Sequence, residues 1–423
     1  MKTSRNAWAT LKISLATVML LCIGCTEEHA ETLVLQPQSP AKENSMAPNL
    51  SLDRQGLPVL SWLALDGKNT ALMYSRLAHG QWSEPNQVAQ GTEWFVNRAD
   101  FPSVVQISDD LWAAHWLVIK SPEVFNYDIA ISLSADDGVT WADPITPHTD
   151  GTLAEHGFVS FFADQTDLGA VWLDGRNMAS GAHHGDHKAA TAEHGTSLRS
   201  AKIDASGNIL TSEIIDPLVC DCCQTDIAQS SAGAVVVYRN RTENEHRDIY
   251  YSRRINGEWQ TGKPVATENW FISGCPVNGP AVAASASDVA VAWFTSANGL
   301  NKINYARIDN QTDQVSAPVE IDAGEHVSGQ VGLVLTEDGG AVVSWLRVSP
   351  EGGAELVLRY IDSANSAQTA NQITAIANLR AAGFPQMVNY GDQLLLAWTE
   401  QVDKTKQVAV TTVELATLRG TAH

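Results

Sequence analysis

A short apolar run that contains an aromatic residue recurs seven times along this chain and sets its architecture. The runs are VLSWLAL, AAHWLVI, GAVWLDG, VVVYRNR, AVAWFTS, VVSWLRV and LLAWTEQ, and their aromatics are Trp62, Trp116, Trp172, Tyr238, Trp293, Trp345 and Trp398. Successive aromatics lie 52 to 66 residues apart. A period of about 50 residues built from short β-type runs is typical of a β-propeller.

Each unit continues after its aromatic strand with two more strands joined by a turn, as in YYSRRINGEWQTGKPVA. Six such hairpins are complete, whereas the seventh unit ends with QVAVTTVELATLRG and lacks its outer strand. The patch ETLVLQ, around Leu33 to Leu35, can supply that strand and so leave no open sheet edge. The sequence therefore predicts an all-β propeller of four-stranded blades closed by an N-terminal strand, with seven blades favoured and six as the alternative.

The N-terminus has the order of an exported lipoprotein. Basic residues precede the apolar run ISLATVMLLCIG, which is too short to span a membrane, and LCIGC resembles a bacterial lipobox. We expect residues 1–24 to be a signal peptide, residues 25–46 a tether with the closing strand, and residues 47–423 a single propeller domain. Lipidation of Cys25 would anchor the protein in the bacterial cell envelope, and Thr26 favours the outer membrane; plain secretion is the alternative.

The charge of the chain excludes one large class of partner. With 48 acidic and 27 basic residues the net charge is −21. A nucleic-acid partner is not expected, because binding to a phosphate backbone depends on clustered cations. The 44% hydrophobic and 18% charged composition is that of a globular protein.

One turn carries a motif with a clear physical basis. Ser134, Asp136, Gly138, Thr140 and Trp141 form SADDGVTW, which resembles the Asp box (S-x-D-x-G-x-T-W) of the bacterial sialidase superfamily. The aspartate can accept turn amides, and the glycine can adopt a positive φ. We interpret the motif as a folding element; INGEW and AHGQW look like decayed copies.

The whole chain resembles a group of exported sialidase-like propellers, on the segments VWLDGR, VCDCCQT, RDIYYSR and GCPVNGPAVA. The resemblance implies the propeller fold and no established reaction. Sialidases use three arginines to hold a carboxylate, a tyrosine with a neighbouring glutamate, and an aspartate. The Arg-Ile-Pro segment of those enzymes does not occur in this sequence, and no arginine matches the triad residue by residue.

Topology predicts where a site should lie. In four-stranded blades the loops entering the inner strands share one face with the loops between second and third strands, whereas the Asp-box turn lies on the other face. Counting back 18 residues from each aromatic gives a ring of equivalent positions around the channel mouth: Asn44, Arg98, Ala154, Cys220, Cys275, Val327 and Arg380.

The stretch VCDCCQTD therefore faces the channel mouth. In an oxidising compartment its simplest role is a disulfide from Cys275, most readily to Cys220, which would link two blades and contribute about 2–4 kcal/mol. The alternative is a thiolate site at Cys222 and Cys223, either redox-active or for copper or zinc.

The loop after Trp172 is rich in histidine. It contains His183, His184 and His187, and short histidine-rich tracts bind metals such as copper or zinc. Because glycine and alanine surround the histidines and the spacing matches no zinc signature, a solvated loop is the favoured interpretation.

Two functions remain open. In the first, a glycan or small anionic ligand binds at the channel mouth, with or without hydrolysis; in the second, the propeller handles copper or zinc, or docks an envelope protein. The candidate ligand-binding residues are Arg98, Arg176, Arg239, Arg247 and Arg380. The candidate catalytic residues are Asp174, Asp221 and Asp248 as carboxylates, with Tyr238 as a nucleophile. The first function is favoured because the face carries arginines in a strongly acidic protein.

Overall fold

The described strands form seven antiparallel sheets that make up seven blades. The computed structural model describes residues 38–122, 125–178 and 191–419. Helix in these ranges is confined to α1 (Leu379–Ala382), α2 (Leu415–Leu418) and a 3₁₀ turn (Ala297–Gly299). None of these described helices has the length and apolarity needed to cross a membrane. The predicted all-β propeller is confirmed, and the number of blades is seven.

The first four blades follow one another along the chain. The first contains β1 (Ser45–Leu52), β2 (Pro58–Asp66), β3 (Asn69–Ala78), β4 (Gln81–Trp82) and β5 (Asn86–Gly91). The second contains β6 (Ser103–Ser108), β7 (Leu111–Ile119) and β8 (Tyr127–Ser134). The third contains β9 (His156–Asp164), β10 (Asp167–Asp174), β11 (Thr196–Ile203) and β12 (Ile209–Val219). The fourth contains β13 (Asp226–Ser230), β14 (Gly233–Arg239), β15 (Ile249–Ile255), β16 (Glu258–Trp259) and β17 (Lys263–Pro264).

The last three blades complete the ring. The fifth contains β18 (Ala281–Ala284), β19 (Asp288–Thr295), β20 (Lys302–Asp309) and β21 (Val319–Ala323). The sixth contains β22 (Val327–Leu335), β23 (Ala341–Val348), β24 (Ala354–Ile361) and β25 (Asn371–Ile376). The seventh contains β26 (Gln386–Tyr390), β27 (Gln393–Val402) and β28 (Thr405–Glu414).

The aromatic runs form the second strand of each blade, and they are apolar on both faces because each blade packs between two neighbours. The side chains of Trp172, Trp293 and Trp345 are fully buried. The described core divides into apolar clusters that each join two adjacent blades, such as the one that packs Trp345 of the sixth blade against Phe294 of the fifth. Burial on both faces explains why these runs are continuous rather than alternating.

Packing between the first and seventh blades closes the ring. Leu60 and Trp62 of β2 share a cluster with Leu395 and Ala397 of β27. The Ser45 hydroxyl oxygen accepts a hydrogen bond of 3.0 Å from the Val408 amide. The predicted closing strand around residues 33–35, the signal segment and the lipidation site at residue 25 lie outside the described residues, so these remain predictions.

The Asp box is held together by its own side chains. Asp136 accepts hydrogen bonds from the Thr140 amide at 2.8 Å and from the Thr140 hydroxyl at 2.6 Å. The Ser134 hydroxyl donates to Asp136 at 2.8 Å and accepts from the Gly138 amide at 3.0 Å. These bonds, led by those from Thr140, lower the pKa of Asp136 to about 2. The geometry supports a folding role for the motif.

We expect Asp136→Ala to lower the melting temperature, because the turn loses both hydrogen bonds from Thr140 and the one from Ser134. Differential scanning calorimetry at pH 7 measures the change. Asp143→Ala is the matched control, since Asp143 is exposed and lies just beyond the same turn. Equal melting temperatures for the Asp136 variant and the wild type would contradict the folding role.

Candidate functional site

One face of the propeller collects the described residues that the sequence singled out as a site. In the third blade Asp174, at the end of β10, pairs with His156, at the start of β9. The Asp box lies at the opposite end of its blade, since Ser134 pairs with Trp112 near the start of β7. The loops that enter inner strands and those between second and third strands thus share one face, here called the loop face.

The ring of equivalent positions lies on this face, although its register varies from blade to blade. The inner strands begin at Ser45, Ser103, His156, Asp226, Ala281, Val327 and Gln386. Arg98, Cys220, Cys275 and Arg380 lie in the loops just before these starts. Counting back 18 residues from each aromatic therefore does not reach the same point in every blade, because the loops that enter the inner strands differ in length.

Arg98 and Arg380 line a cleft of about 430 Å³ on the loop face. Arg98 comes from the loop before β6, and Arg380 lies on α1, whose N-cap Asn378 accepts a hydrogen bond from the Ala381 amide at 3.0 Å. The remaining lining residues are Ser328, Gln330, Gly353, Ala377, Asn378 and Leu379. The Gln330 Oε1 atom is buried without a hydrogen-bond partner among the described residues.

The electrostatics of this cleft are unusual. Burial lowers the pKa of Arg98, and the positive charge of Arg380 lowers it further, with no carboxylate among the causes of the shift. A guanidinium does not lose its proton in a protein. The shift therefore reports first the burial of a positive charge and second the nearby positive charge of Arg380, and a bound anion would offset both.

The other three predicted ligand-binding arginines are engaged within the protein. Arg176 forms a two-pronged ion pair with Asp174, at 2.7 and 2.6 Å. Arg247 contacts Glu245 at 2.8 Å and the Cys220 sulfur at 3.2 Å. The buried Arg239 donates only to backbone carbonyls in its described hydrogen bonds, those of Asn278, Arg247 and Phe294. Their contacts are those of structural residues.

The predicted catalytic residues are also held by structural contacts. The buried Tyr238 donates to Asp216 at 2.7 Å. Asp248 accepts from the backbone amides of residues 268, 269 and 270 at 2.9 to 3.0 Å. Asp174 accepts from the Trp172 indole at 2.8 Å as well as from Arg176. No described contact joins Tyr238, Asp174 and Asp248 to one another, so their catalytic role remains a prediction.

A hydrogen-bonded chain that the sequence did not reveal runs beside the channel. The Tyr127 hydroxyl lies 2.6 Å from Glu155 Oε1 and 3.1 Å from Asp100 Oδ2, and Asp100 Oδ1 accepts from the Phe158 amide at 2.8 Å. Burial, with a smaller contribution from the charge of Glu155, raises the pKa of Asp100 to about 8. Burial also raises the pKa of Tyr127 well above its usual range.

A second cluster surrounds a stacked histidine pair. The rings of His148 and His156 lie 3.8 Å apart, and Asp128, Asp150 and Asp174 surround them. Both ring nitrogens of His156 are buried without a described hydrogen-bond partner. One donor atom from each of Asp128, His148 and His156 lies within 4.8 Å of the others. The segment HTDGTLAEH, residues 148–156, was the signal in the sequence that could have indicated this cluster. It has an H-x-D pattern followed by an E-H pair at a strand start.

The cysteine hairpin, residues 220–225, connects the third and fourth blades. The sulfur of Cys220 lies 3.9 Å from that of Cys222 and 3.6 Å from that of Cys223, and all three side chains are buried. Gln224 donates to the Ala99 carbonyl at 2.6 Å, beside Arg98. These three cysteines are thiols in the structure.

Cys275 lies beside Cys222 of the cysteine hairpin. Its sulfur contacts Asp221 Oδ1 at 3.2 Å. Asp221, Cys222 and Cys275 each place one donor atom within 4.8 Å of the other two. Cys222 is therefore the cysteine next to Cys275 in this group. The Cys220–Cys275 disulfide stays a prediction. The candidate ligands at positions 183, 184 and 187 lie outside the described residues.

Comparison with known proteins finds structural similarity at low sequence identity. No family model and no curated protein matches the chain. An unknown-function protein from Dyadobacter fermentans is 12% identical over 88% of this chain and 95% of that chain, with a TM-score of 0.49. The leech intramolecular trans-sialidase is 10% identical over 86% and 84%, with a TM-score of 0.47.

The α-L-arabinofuranosidase Arb93A from Fusarium graminearum is 12% identical over 89% of this chain and 95% of that chain, with a TM-score of 0.48. Similarity at this level carries no information on ligand or reaction. The function of this chain therefore has to be argued from the cleft and its charges.

Proposed function

We propose that the protein binds an acidic saccharide through the cleft between Arg98 and Arg380. The observation that carries the proposal is the pair of like charges in one cleft, with no carboxylate among the groups that shift the pKa of Arg98. Two guanidinium groups are suited to one carboxylate, because each presents a planar fork of donors that matches its geometry.

The rest of the lining supports a hydroxyl-rich ligand. Ser328, Gln330 and Asn378 supply neutral hydrogen-bonding groups, and Leu379 adds an apolar surface. The buried Gln330 Oε1 is an acceptor with no described donor. Pockets with a few placed polar groups and an apolar wall are typical of small-ligand sites.

We expect the protein to bind the acidic saccharide without hydrolysing it. The chain of Asp100, Tyr127 and Glu155 has the residue types that sialidases use, but the Tyr127 side chain is only 1% exposed. Burial raises its pKa, which opposes the activation that a tyrosine nucleophile needs.

The test measures affinity by calorimetry at low salt for sialyllactose and tetragalacturonate, with lactose and carboxyl-reduced tetragalacturonate as neutral counterparts. We expect a carboxylated probe to bind and its neutral counterpart not to bind. Arg98→Gln and Arg380→Gln should each weaken binding by about tenfold to a hundredfold, since a hydrogen bond to a charged group contributes about 1.5–3 kcal/mol. Chromatography of the incubated probe should show no cleavage.

Arg54→Gln is the matched control, because Arg54 is an exposed arginine that pairs with Asp109 away from the cleft. It should bind like the wild type. Failure of every carboxylated probe, or unchanged affinity in both cleft variants, would reject the proposal. Equal binding of the neutral counterparts would reject the role assigned to the arginines.

A further inference from the structure

The three cysteines of the hairpin converge on one point. Cys220 is fixed by its amide, which donates to the Arg239 carbonyl at 2.9 Å. Its sulfur lies 3.9 Å from that of Cys222 and 3.6 Å from that of Cys223, and the three sulfurs lie within 4.8 Å of one another. Such convergence within a four-residue stretch requires the hairpin to fold all three side chains to the same side.

These separations suit a shared metal ion. With metal–sulfur bonds of about 2.3 Å, three sulfurs in a plane around one ion lie about 4.0 Å apart. The two separations from Cys220, 3.9 and 3.6 Å, differ from this value by 0.1 and 0.4 Å, and the third is within 4.8 Å. A disulfide, by contrast, requires a sulfur–sulfur distance of about 2.05 Å.

Apolar packing alone does not explain the surroundings. Buried cysteines often behave as small apolar side chains, yet here the Arg247 guanidinium lies 3.2 Å from the Cys220 sulfur. The Arg239 guanidinium is a second buried cation near the cluster, where its charge acts on Cys223. Guanidinium groups this close to the sulfurs can balance the negative charge of a cluster of metal-bound thiolates.

We propose that Cys220, Cys222 and Cys223 bind one copper(I) ion as a three-thiolate site. Thiolates select soft metals such as copper(I) and zinc. Structural zinc almost always takes four ligands, whereas the described residues bring three sulfurs together at this point. Binding forms three copper–sulfur bonds, releases to solvent the protons that the thiols held, and leaves the oxidation state of copper unchanged.

A route for the ion leads from the surface to this site. Cys275 is exposed, and one donor atom each of Cys275, Asp221 and Cys222 lies within 4.8 Å of the others. Cys222 belongs both to this group and to the group of three cysteines that would hold the copper ion. An ion captured at Cys275 can therefore pass to Cys222 by exchange of one ligand at a time.

The test uses the mature chain, reduced and kept anaerobic, with copper(I) supplied as its bicinchoninate complex. We expect one copper per chain, and X-ray absorption showing three sulfur neighbours with no nitrogen or oxygen. Cys220→Ala and Cys223→Ala should each lower copper affinity by more than 100-fold, with folding checked by circular dichroism. Cys275→Ser should keep the stoichiometry and affinity but slow the loading measured by stopped flow.

Four outcomes would overturn the site. They are absence of copper binding by the reduced wild type, a first shell of four sulfurs or of mixed donors, preferential retention of zinc, and loss of stoichiometry in the Cys275 variant. A Cys220–Cys275 crosslink in a non-reduced digest of the protein as isolated would also overturn it. The wild-type absorption measurement remains decisive if an alanine variant fails to fold.

Discussion

Replacement of Arg239 by alanine should lower the free energy of unfolding by about 3–5 kcal/mol, although no carboxylate accepts its described hydrogen bonds. Its guanidinium donates to the carbonyls of Asn278, Arg247 and Phe294 at 2.7 to 3.2 Å, and it lies 4.8 Å from the centre of the Trp270 ring. The variant leaves these buried carbonyls without that donor and opens a cavity between the fourth and fifth blades.

Urea unfolding followed by fluorescence measures this effect. Arg239→Lys should lie between the wild type and the alanine variant, because an ammonium keeps the charge but loses the fork of donors. Arg54→Ala is the control, since its exposed ion pair with Asp109 should contribute at most about 1 kcal/mol. If Arg239→Ala unfolds at the wild-type urea concentration but loses ligand, Arg239 is a ligand-binding residue, as the sequence predicted.

The second large effect concerns pH. The pKa of Asp100 is raised to about 8 in the folded protein, first by burial, against about 3.9 for an unfolded aspartate. Between these values the folded state binds one more proton than the unfolded state. The stability that Asp100 contributes is therefore complete below about pH 4 and is lost as the pH rises to about 8.

We expect Asp100→Asn to remove this dependence, because asparagine stays neutral and can still accept from the Phe158 amide. The free energy of unfolding of the variant relative to the wild type should rise with pH by up to about 1.4 kcal/mol per pH unit between pH 5 and 8. Urea titrations at half-unit intervals measure it. The buried Asp226, whose pKa burial raises to about 6, is present in both proteins and cancels in the difference.

Asp100→Ala is the control for the loss of hydrogen bonds. It should be less stable than Asp100→Asn at every pH, because the Phe158 amide and the Tyr127 hydroxyl both lose a partner. A difference between wild type and Asp100→Asn that does not change with pH would show that Asp100 is charged in the folded protein.

The sequence was enough to predict which face carries the candidate site, but it could assign roles to few of the residues there. The strand order predicted the loop face, and with it the region of Arg98, Arg380 and the cysteine hairpin. The arginines predicted to lie on that face suggested five ligand-binding residues. The structure assigns internal partners to three of them. Arg176 and Arg247 pair with carboxylates two positions away, Asp174 and Glu245. The carbonyls of Asn278 and Phe294 reach Arg239 only after the blades have packed.

The same limit applies to the two clusters that form around Asp100 and around His156. Asp100 lies in the loop before β6, Tyr127 begins β8 and Glu155 lies in the loop before β9, so no short motif joins them. His148 and His156 lie eight positions apart on the two sides of a loop, and only its folded path stacks their rings at 3.8 Å. Their chemistry arises from burial and proximity, which sequence spacing does not encode.

The sequence by itself determined the blades and the Asp-box turn. Continuous apolar runs mark strands covered on both faces, and the side-chain hydrogen bonds that hold the turn join residues at most four positions apart. Only the tertiary structure decided that Arg98 has Arg380 as its charged neighbour and that Cys275 reaches Cys222 of the cysteine hairpin. Those properties depend on distances between blades, and a change of a few ångströms there determines whether an arginine has a carboxylate beside it or a second arginine.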